Sequence, residues 1–411
     1  MTRRVVITGM GTVNPLASDV REFWKGLCSG KNAIGLIEQM DTSPFKVQFG
    51  GEVKGFNPES ELDSKVSRRL DRFAQLALMA SIYAVRDSGL DFAKEDPFRC
   101  GAIVGSGIGG LNEFEEQHAR FIKGGPGKIS PFVIPKMIPN AAAGNISIHF
   151  GIAGPNTAVS TACASAANAI GDALRTIQWG YADVMVTGGS ESVITNMGLG
   201  GFLAARALSH RTADPARASR PFDRERDGFV LSEGAGIVVL EEFERAKKRN
   251  ATIYGEILGC GSTADAHHIT APHPEGAGAS KAMELALKDA KLRPEDVQYL
   301  NAHGTSTPLG DEAETKAIKK VFQNHASKLA VSSTKSMIGH TLGASGGIEL
   351  IVCALSICNS VVHPTINYEF PDPSCDLDYV PNQAREMRVR HAISNSFGFG
   401  GHNCSLVVGA V

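Results

Sequence analysis

One local pattern occurs twice, far apart, and limits what the chain can fold into. Residues 158–161 read AVST and lead into ACASAANAIGDAL; residues 330–333 read AVSS and lead, after a short insertion, into LGASGGIELIVCAL. Each stretch reads as a strand, a turn of small residues and an apolar helix. A duplicated unit accounts for the echo, and chance likeness between two buried βα units is the alternative. The same alternation runs through the chain. Apolar runs at 3–9, 100–106, 156–162 and 182–189, then at 251–259, 297–304, 328–334 and 403–409, read as buried strands. Helical periodicity lies between them, notably at 67–88, 163–178, 279–291 and 346–358. The expectation is a layered α/β protein. A chain of 411 residues is too long for one simple core. No low-complexity linker interrupts it, so the expected halves, 1–250 and 251–411, share one compact body.

Composition matters at three points. Glycine is raised, 45 of 411 residues, which implies tight turns and close backbone approaches. A net charge of −2 gives no global field for nucleic acid, so an acidic partner has to be met by a local patch. Eight cysteines in a long chain, with no signal or transit peptide evident at the N-terminus, point to reduced thiols and a cytoplasmic setting. The apolar stretch 346–358 is too short to cross a bilayer and carries Glu349.

The segment GSGIGG at 105–110 fits G-x-G-x-x-G through Gly105, Gly107 and Gly110. It follows a strand, but no acidic strand end follows where a dinucleotide site needs one. Backbone passage close to a ligand tail is the better use of these glycines. No cysteine–histidine spacing resembles a zinc site.

Cys163 sits between a predicted strand and a predicted helix, among alanines and serines. The free N–H groups and dipole of a helix start bias a thiol toward thiolate, and small neighbours admit an acyl group. An inert core cysteine is the alternative. His303, in NAHGTSTPLGDEAE, and His340, in SSTKSMIGHTLGASGG, each follow a predicted strand. Strand ends on one side of a sheet converge into a site. One cysteine and two histidines suggest acyl chemistry. A cysteine hydrolase needs one histidine as base, whereas two neutral imidazoles suit stabilisation of an enolate after loss of CO2.

The segments TACASAANAI, NAHGTSTPLGDEAE, KSMIGHTLGASGGIE and NSFGFGGHN closely resemble the motifs of the β-ketoacyl-acyl carrier protein synthases, nearest to the type II condensing enzyme of fatty acid synthesis. The likeness runs from VVITGMGTVNPL to SFGFGGHNCSLVV, nearly the whole chain. It implies a thiolase-like fold, five-layered αβαβα, with two pseudo-duplicated halves. It implies a decarboxylative Claisen condensation of an acyl chain on Cys163 with malonyl-acyl carrier protein, giving a 3-oxoacyl-acyl carrier protein and CO2. His303 and His340 would stabilise the enolate, with Lys335 as the buried lysine and Glu349 as its carboxylate partner. The backbone N–H groups of Cys163 and Phe399 would form the oxyanion hole. Phe399, between Gly398 and Gly400, would be a gate. Ile108 would end the acyl pocket and admit medium to long chains. Thr305 and Thr307 would hold the phosphopantetheine arm, and Phe202, His268 and Thr270 would also contact substrate. His402 stands where the family usually has threonine.

The family's carrier protein is acidic. Lys65, Arg68, Arg69 and Arg72 fall at i, i+3, i+4 and i+7, one face of a helix, with Arg206 as a second docking candidate. A solvated face is the alternative. The resemblance further implies a homodimer paired near the strand before the nucleophile. It implies no required cofactor beyond the phosphopantetheine that the carrier brings, and no nucleic acid or membrane partner. Some members bind a structural monovalent cation. A biosynthetic thiolase, a polyketide-type ketosynthase and a non-catalytic chain-length factor are the rival readings; Cys163 argues against the last.

Overall fold

A computed structural model describes residues 3–411. Ten strands make the frame: β1 (Val5–Val13), β2 (Cys100–Gly105), β3 (Asn156–Val159), β4 (Val184–Glu191), β5 (Gly234–Glu242), β6 (Gly255–Ala264), β7 (Tyr299–Asn301), β8 (Ala330–Ser332), β9 (His391–Gly398) and β10 (His402–Gly409). Their spatial order is β8-β7-β9-β10-β6-β1-β5-β4-β2-β3. Cut between β1 and β6, this gives two half-sheets of five. Each has the order third, second, fourth, fifth, first in its own chain sequence. Pairing directions also repeat. β2 runs parallel to β3 and β4, and β7 runs parallel to β8 and β9. The remaining neighbours within each half are antiparallel. The half-sheets pair edge to edge at Val6–Glu256 and Ile7–Gly255.

Six helices complete the layers: α1 (Arg72–Ser88), α2 (Ala141–Phe150), α3 (Ser165–Gln178), α4 (Ala277–Ala290), α5 (Pro308–Phe322) and α6 (Ser345–Asn359). α1 and α2 cover the outer face of the first half-sheet, and α4 and α5 that of the second. α3 and α6 lie between the two half-sheets and touch both. The result is five layers, αβαβα, as the resemblance implied. Strand alternation serves two cores at once. Ile237 and Val239 of β5 face α1, whereas Val238 and Leu240 face the inner helices. With both faces covered, such strands read as continuous apolar runs.

The echoed segments are β3–α3 and β8–α6. Both enter their helix through a short 3-10 turn, Ala162–Ala164 and Leu342–Ala344. Each turn begins with a non-glycine residue in the left-handed region, Ala162 at φ +49° and Leu342 at φ +49°. The same strained corner at equivalent places is the mark of one unit used twice.

Several expectations need correction. β3 is not buried: Asn156 and Thr157 are exposed, because it is the outer edge of its half-sheet. The sequence reading missed β5 and β9, whose glycines and serines dilute the apolar pattern. Leu342–Asn359 is long and apolar enough to cross a membrane; 83% of that stretch is buried, and it serves as the inner layer. The helix expected from 67 starts at Arg72, because Asp71 caps it, after a separate turn at Ser64–Ser67. The basic stripe is therefore broken. Lys65, Arg68 and Arg69 are exposed, but Arg72 turns inward to Glu233, Nη2–Oε1 2.6 Å.

Candidate active site

Cys163 lies in the left-handed corner between β3 and α3, and His340 lies between β8 and α6, two residues before the equivalent corner at Leu342. His303 follows β7. The duplication thus places two of the three groups on the equivalent strand-to-helix connections of the two halves. The sulfur and one nitrogen from each histidine all lie within 4.8 Å of one another. His340 Nε2 is 3.0 Å from Cys163 Sγ. The Leu342 backbone N–H donates to His340 Nδ1 at 3.3 Å, which fixes Nδ1 as the acceptor. A neutral His340 then carries its proton on Nε2, facing the sulfur. The imidazoles of His303 and His340 stand edge to face, with centroids 5.3 Å apart.

Electrostatics keep both rings neutral. Burial pushes each histidine well below its ordinary value, and the nearby Lys335 charge adds to the effect. Lys335 is itself only 1% exposed and is paired with the equally buried Glu349. Burial lifts the Glu349 carboxyl to about 7 even with Lys335 opposing. Neither lines the cavity, so Lys335 acts on the site through its field. The Cys163 thiol departs from the thiolate bias expected of a helix start. Burial pushes it up to about 12, while Lys335 and the N–H groups of Phe399 and Cys163 pull the other way. Desolvation outweighs a short helix-start dipole here. Those two amides meet at the sulfur, where an acyl oxygen would lie.

One cavity of about 540 Å³ joins these groups. Its walls include Gly107, Ile108, Phe202, Phe399, Thr270, Thr305 and Thr307. The Thr305 and Thr307 hydroxyls are 3.0 Å apart. Arg206 also lines it and is exposed. His268 does not; its Nδ1 accepts the N–H groups of Thr270 and Ala271 in its own loop. Gly398 has no room for a side chain, since a Cβ would come within 2.8 Å of the Thr161 carbonyl oxygen. Gly400 sits at φ +84°, and its N–H donates to the Ile269 carbonyl. The His402 ring packs under Gly400, 3.1 Å from where its Cβ would be. The cysteine and two histidines come from 163, 303 and 340, so no spacing rule finds them as a metal set. A metal would need the His340 Nε2 lone pair, and the Leu342 amide places the proton there.

Sequence reasoning missed three groups. Glu314 accepts the backbone N–H groups of His303 (2.9 Å) and Gly304 (2.7 Å) and so fixes the His303 loop. The Phe229 ring meets His340 edge to face at 5.2 Å. Glu191 lines the cavity beside Cys163. Only the acidic residues of GDEAE and GGSES hinted at the carboxylates, and nothing local marked Phe229.

Residues 2–246 match the family described as Beta-ketoacyl synthase, N-terminal domain, and residues 254–369 match Beta-ketoacyl synthase, C-terminal domain. The chain is 52% identical over 404 residues to 3-oxoacyl-[acyl-carrier-protein] synthase 2 of Synechocystis sp., covering 98% of this chain and 97% of the relative. It is 53% identical over 405 residues to the protein of that name from Staphylococcus aureus, covering 98% of each. Among solved structures, it superposes on a Burkholderia phymatum beta-ketoacyl synthase with TM-score 0.92 at 36% identity, covering both chains fully. A ketosynthase structure with its type II PKS acyl-carrier protein gives TM-score 0.94 at 36% identity, again over both full chains. By sequence over both halves, by fold and by the corner that carries Cys163, this chain belongs to the beta-ketoacyl synthase family.

Proposed function

We propose that the chain is the condensing enzyme of fatty acid elongation, joining an acyl group to malonyl-acyl carrier protein. The full-length likeness to the 3-oxoacyl-acyl carrier protein synthases carries this reading, and the Cys163–His303–His340 geometry gives it a mechanism. Cys163 Sγ attacks the acyl thioester; the carrier leaves as its thiol, taking the proton. The N–H groups of Cys163 and Phe399 hold the carbonyl oxygen. Malonyl thioester then binds between the histidines and loses CO2. Two neutral imidazole N–H groups hold the enolate oxygen without a proton being lost to it. The enolate carbon attacks the acyl carbon, and Cys163 leaves as a thiolate that takes a proton from water. Burial, with Lys335 adding to it, keeps the imidazoles neutral. Phe399, on a loop with glycines at 398, 400 and 401, moves aside when acyl or malonyl groups enter.

Lys65, Arg68, Arg69 and Arg206 form the docking surface for the acidic carrier, with Arg206 at the cavity itself. Ile108 limits the acyl chain to medium and long lengths. A second copy of this chain covers the open edge of β3, and exposed Ile148 on α2, the helix packed against that strand, favours such a homodimer. Eight free cysteines suit a cytoplasmic enzyme. Four buried oxygens without partners, on Asn301, Glu349, Ser394 and Ser396, suit a monovalent cation of structural use. No other cofactor is needed beyond the phosphopantetheine of the carrier.

The test is intact-mass measurement after mixing with an acyl-carrier thioester. An acyl adduct mapped to Cys163 and stable until malonyl carrier is added supports the reading. Absence of an adduct, or hydrolysis to free acid without malonyl carrier, refutes it.

A further inference from the structure

Beyond the Ile108 side chain at the acyl pocket, the glycine-rich turn at 105–110 has no role in the steps above, and its cradle of amides is filled by the chain's own carboxylate. Glu191 ends β4 and is fully buried. Its Oε2 accepts the backbone N–H groups of Gly107 (2.7 Å) and Gly343 (3.1 Å). Its Oε1 accepts the Ser106 hydroxyl (2.9 Å) and the N–H groups of Ile108 (3.2 Å) and Gly109 (3.4 Å). The N–H donors cannot reverse direction, so both oxygens must accept. A carboxylate does this; a carboxamide cannot. Burial pushes the Glu191 carboxyl up, and these same donors pull it back toward the ionised form. Neither glycine that faces Oε2 has room for a side chain. A Cβ on Gly107 would lie 2.9 Å from that oxygen, and one on Gly343 only 2.6 Å.

The two tied segments matter to catalysis in different ways. Gly107 and Ile108 line the cavity, and Gly343 stands three residues after His340. We propose that Glu191 is a charged positioning residue, clamping the acyl-pocket wall at 107–109 to the His340–Gly343 turn. The clamp joins the first half-sheet to the start of α6, across the line where the halves meet. The carboxylate also repels a thiolate at Cys163 and so opposes Lys335. This rests on Cys163 being the acylated thiol.

The test is Glu191→Gln in the full-length enzyme. Acylation of Cys163 is timed with long-chain and with acetyl carrier thioesters, and its alkylation by iodoacetamide is followed against pH. The clamp predicts at least a tenfold slower acylation by the long chain and a clearly smaller loss for acetyl, which has less chain to lay along that wall. Loss of the charge predicts a fall of about one unit in the alkylation midpoint, which a merely structural residue would not produce. An equal loss for both chains, or an unmoved midpoint, overturns the proposal. If Glu191→Gln does not fold, Ser106→Ala removes one donor and keeps the charge. A few-fold loss confined to the long chain then supports the clamp, and equal rates overturn it. A parent enzyme without an adduct on Cys163 refutes the acyl-transfer reading instead, and that is read from the parent alone.

Discussion

Replacing Lys335 with methionine tests the electrostatic account of the site. The ammonium is buried and paired with Glu349, whose carboxyl sits at about 7 against an ordinary 4.5. Lys335 opposes the burial that raises it, so Lys335→Met lets the folded-state value climb further. Glu349 titrates near 4.5 when unfolded. A group with a raised folded value contributes stability that is full below its unfolded value and lost as pH rises through its folded value. At pH 6 Glu349 is protonated in parent and variant alike. The deficit there is only the lost hydrogen bond and packing, about 1–2 kcal/mol. Above pH 7 the parent's carboxylate ionises beside Lys335, while the variant's stays protonated. Each further pH unit then adds about 1.4 kcal/mol. The limit is about 3–5 kcal/mol for an unpaired buried charge. At pH 9 the added deficit is about 3 kcal/mol, or about 3–4 °C in the Tm of a chain of 411 residues. Thermal unfolding of both proteins at pH 6 and pH 9 measures it. The same change raises the His303 and His340 values, moving the acid limb of malonyl-carrier decarboxylation to higher pH. An equal Tm deficit at both pH values would refute the argument, because Glu349 would then not be the titrating partner.

Three further perturbations address separate parts of the site. Ile108→Phe shortens the acyl pocket, and at about 0.8 kcal/mol per excluded methylene kcat/KM should fall about fourfold per carbon for long chains alone; an unchanged chain profile removes Ile108 from the pocket wall. Arg68→Glu should raise KM for carrier-linked substrates about tenfold and leave small soluble thioesters unaffected; equal effects on both would end the docking assignment. Gly398→Ala places a Cβ 3.0 Å from the Cys163 amide nitrogen and 2.8 Å from the Thr161 carbonyl oxygen. Displacement of the Phe399 amide should slow acylation about 100-fold with the fold intact; near-normal acylation would show that this amide is not an oxyanion donor.

Sequence alone carried the layered α/β class, the duplication and the three candidate residues that the fold brings together. Apolar runs with helical spacing report which faces are covered, and the two small-residue corners are local enough to be read in a dozen residues. Cys163, His303 and His340 were legible because each stands in its own strand-end motif. Local pattern could not reach what depends on approach in space. Arg72 falls on a basic stripe by spacing, yet Asp71 caps a new helix and Glu233, 161 residues away, draws the guanidinium inward. Cys163 looked ionisable at a helix start, and burial by both halves reversed that. Gly105–Gly110 read as backbone passing close to a ligand tail, and only the fold revealed Glu191 inside its ring of amides. Periodicity is a property of neighbours along the chain and fixes which faces are apolar. Charge state and hydrogen-bond partners depend on desolvation and on contacts between distant segments, and these exist only once the two halves close on one another.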